Sequence, residues 1–246
     1  MRIGILQTGK VSEALAARHG QYPEMFARLL GGADPGLEFA THAVVDGEFP
    51  GSPEASDAWL VTGSRHGVYD DLPWIAPLKD FLRAVRAAGR PIIGICFGHQ
   101  LMAEAFGGRA EKSDRGWGIG VHDYETVRRP QWMADAPERF SIHALHQDQV
   151  TAVPGDATVL ATSPFCEYAM LAYGDPDRPE AISIQPHPEF STPFARDLLA
   201  LRTGDLIPRE EGEAAMATLT RPVAGDAFAR WCIDYLKTVS AGRRAA

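Results

Sequence analysis

Apolar positions along this chain follow two rhythms. Short, mostly apolar runs at 2–6, 58–62 and 91–95 read as strands, because a strand covered by helices on both faces shows no polar alternation. Between them the spacing is helical. Leu15, Met25, Phe26, Leu29 and Leu30 share one face across 11–30, interrupted by Gly20 and Pro23. Ile75, Leu78, Phe81, Leu82 and Val85 do the same across a stretch that Pro73 opens and Gly89 ends. Residues 38–45 form a further candidate strand, 64–72 a loop with Gly and Asp, and 97–106 a helix.

The order strand, helix, strand, strand, helix, strand, helix predicts an α/β fold with a mostly parallel open sheet and helices on both faces. From 119 to 184 the pattern changes. Short β-like runs at 119–127, 140–144, 158–162, 168–172 and Ala181–Ile184 are separated by Pro, Gly and Asp. They read as antiparallel additions or a sheet edge. Helices are expected at 193–201 and 226–239, with the polar stretch 202–222 a mobile loop or short helix. The expectation is one domain, 1–246, in which 202–246 form a C-terminal helical extension.

Composition narrows the function classes. The formal net charge of −8 supplies no basic footprint for nucleic acid or an anionic membrane surface. No apolar run is long enough to span a bilayer. The three cysteines, Cys96, Cys166 and Cys232, are far apart, which fits neither a disulfide framework nor a zinc site and suits a reducing, cytoplasmic compartment. No metal site is expected, since His and Cys show no ligand spacing.

One segment carries chemistry. Gly94-Ile95-Cys96-Phe97-Gly98-His99-Gln100 lies where a buried strand turns into a helix. A sharp turn there lifts Cys96 above the sheet, with small neighbours letting the backbone turn. The helix N-terminus favours a thiolate and offers the Phe97 N–H to a developing oxyanion. Such a nucleophile needs a base, and the base an orienter. In Gln185-Pro186-His187-Pro188-Glu189-Phe190, Pro188 favours an extended backbone at His187. His187 and Glu189, two apart, then project to the same side at a strand's carboxyl end.

The two motifs together resemble the class I, or triad, glutamine amidotransferase family across roughly residues 1–200. The resemblance implies that family's flavodoxin-like fold, with Cys96 as nucleophile, His187 as base and Glu189 as its orienting carboxylate. It implies an oxyanion hole from the Phe97 N–H and the loop Gly63-Ser64, where either Gly63 or Ser64 supplies the second N–H. Gln100 matches a substrate-contacting glutamine. His146-Gln147-Asp148-Gln149-Val150 resembles the segment that lines the glutamine pocket in glutaminase domains similar to that of GMP synthetase. Trp117, in a Gly-rich turn, is either packing or substrate contact; His66 and His99 carry no assigned role.

The implied reaction cleaves the γ-amide of glutamine or a γ-glutamyl compound through a thioester, with no cofactor. No phosphate-binding loop or ATP-pyrophosphatase signature is present in the sequence. Three readings stay open: a stand-alone hydrolase resembling single-domain γ-glutamyl peptidases, a glutaminase subunit feeding ammonia to a separate synthase, and a non-catalytic binding module.

Overall fold

The computed structural model describes residues 1–245, with side chains described through residue 241. The chain opens with β1 (Arg2–Leu6), buried beyond its first residue. Residues 11–30 hold not one helix but parts of two, α1 (Glu13–His19) and α2 (Tyr22–Ala33). Gly20 separates them at φ 82°, a left-handed conformation that side chains disfavour. Pro23 sits in the first turn of α2, where its missing N–H costs nothing, and Gln21 and Glu24 close a capping box. Next, β2 (Glu38–His42) stops short of residue 45 because Val44–Asp46 forms a single tight turn ended by Gly47. Then β3 (Ala58–Val61), α3 (Ile75–Ala87), β4 (Ile92–Ile95) and α4 (Phe97–Ala105) fall where the apolar spacing predicts.

The second half adds β5 (Arg109–Lys112), β6 (Gly118–Thr126), β7 (Arg139–His146) and β8 (Asp148–Ala152). After these come β9 (Ala157–Thr162), β10 (Met170–Tyr173) and β11 (Ala181–Ile184). Three helices follow: α5 (Thr192–Arg202), α6 (Arg209–Thr218) and α7 (Gly225–Ala245). Nine strands form one sheet in the order β2-β1-β3-β4-β11-β10-β9-β6-β7. Its first five members are parallel, and the last four continue it antiparallel.

One placement corrects the sequence reading. Residues 181–184 are not an antiparallel addition; β11 lies mid-sheet, parallel to β4 on one side and antiparallel to β10 on the other. A strand buried on both faces gives the same apolar run in either setting. The small sheet of β5 and β8 has no counterpart in the apolar pattern, because Arg-Ala-Glu-Lys in β5 contains no apolar run. Within 202–222, α6 buries only Gly212 and Ala215, too little to leave a periodic signal.

Strand side chains alternate between two faces. Ile3, Ile5, Ile93, Ile95 and Ile182 pack under α2 and α7 with Phe26, Phe228, Trp231 and Tyr235. On the other face, Leu6, Trp59, Val61 and Ile92 pack under α3 and α4 with Leu78, Leu82, Leu101 and Met102. The expected C-terminal extension thus supplies a helix that shares a core with the first strand. Among the described residues no helix is long and apolar enough to cross a membrane.

Trp231 is buried and its indole N–H donates to Asp135 Oδ1 at 2.7 Å. Trp231→Ala is expected to cost about 3–5 kcal/mol from the cavity and the lost contacts, read as a lowered denaturation midpoint with an unchanged slope.

Candidate active site

Cys96 follows β4 and caps α4 with φ 52° and ψ −102°. It is the only non-glycine residue at positive φ among the described residues. Such a conformation costs on the order of 1–3 kcal/mol and persists only where its surroundings enforce it. Here the Cys96 N–H donates to the Ile184 carbonyl at 2.9 Å and the Cys96 carbonyl accepts from Gln100 N–H at 3.0 Å. The helix also lies too close to the sheet for side chains at the flanking glycines. A Cβ on Gly98 would sit 2.6 Å from the Val61 carbonyl oxygen, and one on Gly94 would sit 2.3 Å from Met102 Sδ.

β11 delivers the second motif beside the first. Ile184 pairs with Ile95 in parallel register, so the chain leaves both strands at one edge. The His187 N–H then donates to the His143 carbonyl of β7 at 2.8 Å, which fixes the segment. His187 Nδ1–H donates to Glu189 Oε1 at 2.7 Å, both groups being buried. The Cys96 side chain lies near the ring and favours its charged form. Phe190 stacks on the imidazole with centroids 4.0 Å apart and planes within 9°, and Tyr22 stacks in turn on Phe190. Burial alone pulls the His187 pKa down. Glu189 and Cys96 on either side outweigh it and carry the pKa up to about 10.

The loop after β3 closes on this pair. A Cβ on Gly63 would lie 2.8 Å from His187 Cε1 and 3.7 Å from Cys96 Cβ. The Gly63 carbonyl accepts from the hydroxyls of Thr8 and Thr62, both at 3.1 Å. Above lies an open cleft of about 670 Å³ whose lining includes Cys96, His187 and Ser64.

Gln100, His146, Gln147 and Asp148 also line the cleft. Gln100 Nε2 donates to the Asp148 carbonyl at 2.8 Å and to Gln185 Oε1 at 3.1 Å, leaving its own oxygen as an acceptor. His146 Nδ1–H donates to the Asp148 carbonyl at 3.1 Å. Burial lowers the His146 pKa to about 3, so the ring is neutral, and its buried Nε2 has no partner. Burial raises the Asp148 pKa, while the Tyr69 hydroxyl and Lys112 act against that rise.

Trp117 lines the cleft as well, as do Tyr22, Arg65, Phe190, Leu198 and Arg202, to which the sequence alone gives no role. Tyr22 and Arg202 come from α2 and α5, far along the chain from the motifs, and no local pattern marks them. His66 also lines the cleft, with Nδ1 3.6 Å from Asp70. His99 is buried within α4, bonded to Ser183 Oγ at 2.7 Å.

The family described as glutamine amidotransferase class-I matches residues 58–202, a span that holds Gly63, Cys96, Asp148, His187 and Glu189. Gamma-glutamyl peptidase 4 of Arabidopsis thaliana is 30% identical over 235 residues, covering 92% of this chain and 91% of its own. A glutamine-hydrolyzing GMP synthase subunit of Methanopyrus kandleri is 33% identical over 115 residues, covering 44% of this chain and 57% of its own. The crystal structure of a glutamine amidotransferase from Thermotoga maritima superposes with a TM-score of 0.72 at 19% identity, covering 97% of this chain and 98% of that one.

The raised His187 pKa fixes a sign. The charged ring contributes stability that is present below its ordinary value of 6.5 and is lost as pH rises toward about 10. Glu189→Gln is therefore expected to lower the His187 pKa, followed by NMR titration of the ring. The variant should lose about 1–3 kcal/mol of stability near neutral pH, with the deficit shrinking as pH approaches 10.

Proposed function

The chain belongs to the glutamine amidotransferase class-I family, and on that premise we propose that it works as a stand-alone hydrolase of a γ-glutamyl compound, through a thioester on Cys96. The observation that carries this reading is the imidazole of His187, held between Glu189 and Cys96 at a cleft.

The Cys96 sulfur attacks the γ-carbonyl carbon of the bound glutamyl group, forming a C–S bond and an oxyanion. The first N–H of α4, at Phe97, is one donor to that oxygen; helix-start N–H groups lack intrahelical acceptors. Ser64 N–H is the other. The Gly63 carbonyl is held by Thr8 and Thr62, and in a trans peptide the following N–H points the opposite way. His187 gives its proton to the leaving nitrogen, the C–N bond breaks, and the amine departs. His187 then takes a proton from water, which attacks the thioester and releases glutamate with the Cys96 thiolate. Glu189 fixes the tautomer and stabilises the imidazolium throughout. Gln100, His146, Gln147 and Asp148 hold the amino-acid end, with the Asp148 carboxylate suited to the α-amino group.

The extent of likeness favours a stand-alone enzyme: the γ-glutamyl peptidase match covers 92% of this chain, the GMP synthase match 44%. The latter supports a second reading, a glutaminase that passes ammonia to a separate synthase.

Glutamate release by the purified chain from glutamine and from γ-glutamyl amides and peptides tests the proposal. Cys96→Ala is expected to lower turnover by about a thousandfold or more. Thr8→Val, which leaves the Gly63 carbonyl with the Thr62 hydroxyl alone, is expected to lower kcat by about three- to tenfold with little change in KM. Turnover that appears only when a synthase partner is added would replace the first reading with the second.

A further inference from the structure

The catalytic cleft continues beyond Arg65 and Arg202. Both residues, with Tyr22, His66 and Leu198, also line a wider groove of about 1190 Å³. None of Gln100, His146, Gln147 or Asp148 lines this extension, which instead reaches Lys10, Leu201 and Leu206. It therefore leads from the reacting centre away from the wall assigned to the glutamyl end.

The chemistry of the groove is mixed. Leu201 and Leu206 are 58% and 55% exposed, so apolar surface faces solvent there. Arg65 is exposed and Arg202 half-buried. Neither guanidinium has an ion-pair or hydrogen-bond partner among the described residues. Lys10, by contrast, is taken up by Asp46. Asp205 is the one carboxylate lining the groove, and it pairs with neither arginine. In a chain of formal net charge −8, two unpaired arginines at the junction of cleft and groove form a local positive site. Guanidinium groups bind carboxylates through two parallel hydrogen bonds, more strongly than neutral groups do.

From this we infer that the groove is a leaving-group subsite for an α-amino acid or short peptide with a free carboxylate and an apolar side chain. Arg65 and Arg202 hold the carboxylate, and the side chain lies on Leu201 and Leu206. The inference rests on the proposed hydrolase reading for which end of the substrate lies where. Ammonia leaving from glutamine would use none of these contacts, so the subsite selects γ-glutamyl amino acids or peptides over glutamine.

The test is calorimetric binding to the Cys96→Ala protein, which holds substrate without consuming it. The two probes are γ-glutamyl-leucine and γ-glutamyl-isopentylamide, the same molecule without the leaving-group carboxylate. The dipeptide is expected to bind about ten- to a hundredfold tighter, a ratio that falls to within about twofold when Arg65→Gln and Arg202→Gln are added. Thermal melting of the variants checks that the fold is kept. Equal or undetectable binding of the two probes, or a ratio that survives loss of both arginines, overturns the subsite. A joint loss of affinity for both probes with the ratio intact would place the arginines on the substrate's α-carboxylate instead and overturn it too. Glutamate release from the dipeptide by the wild-type chain, measured alongside, reports separately on the hydrolase. Preference without release would keep the subsite and sink the hydrolase; release without preference would do the reverse.

Discussion

A buried imidazole bonded to a buried carboxylate is costly to assemble. Removing charges from water carries a penalty of several kcal/mol per ion, repaid only by close geometry and further partners. Much of this fold serves that one contact between His187 and Glu189. The His143 carbonyl fixes the backbone of His187, Phe190 covers one face of its ring, and Gly63 leaves the ring room on the loop side. Cys96 completes the set, since its side chain faces the imidazole. The strain stored at its positive φ is enforced by the Ile184 carbonyl and the close seat of α4.

The sheet explains why these groups meet. Parallel strands end on a common edge, and ligands in open α/β sheets bind outside that edge. β3, β4 and β11 are neighbours, so the loop of Gly63, the turn of Cys96 and the segment of His187 leave the sheet side by side. The antiparallel half supplies the cleft's other wall. β7 ends at His146 and β8 starts at Asp148, so Gln147 is the hinge between the large sheet and the small one. Helices α2 and α5 add Tyr22 and Arg202 from a third direction, giving the cleft one side rich in hydrogen-bond acceptors and another rich in aromatic and guanidinium groups.

What can be read from the sequence follows from how local each signal is. The turn at Cys96 is announced by glycines within two residues, and His187 and Glu189 by two prolines and a spacing of two. β1, β3 and β4 announce themselves by apolar runs against helical spacing. The place of β11 is not readable, because burial on both faces erases the difference between a parallel and an antiparallel neighbour. β5 escapes notice because it pairs only with β8 in a two-stranded sheet and carries mostly polar residues. Arg65, Arg202 and Tyr22 are ordinary residues on ordinary elements until folding gathers them around one cleft. The proposed preference for Ser64 over Gly63 rests on Thr62 and on Thr8, more than fifty residues away in sequence, whose hydroxyl only the fold brings to the Gly63 carbonyl.

The central claim is that Cys96 carries the glutamyl group between two half-reactions. Intact-protein mass measurement after acid quench of the chain mixed with a turned-over γ-glutamyl substrate tests it most directly. The account predicts a single γ-glutamyl adduct that maps to Cys96 and is lost on treatment with hydroxylamine. Glutamate release with no adduct on any cysteine under rapid quench, or an adduct on Cys166 or Cys232 instead, would contradict it.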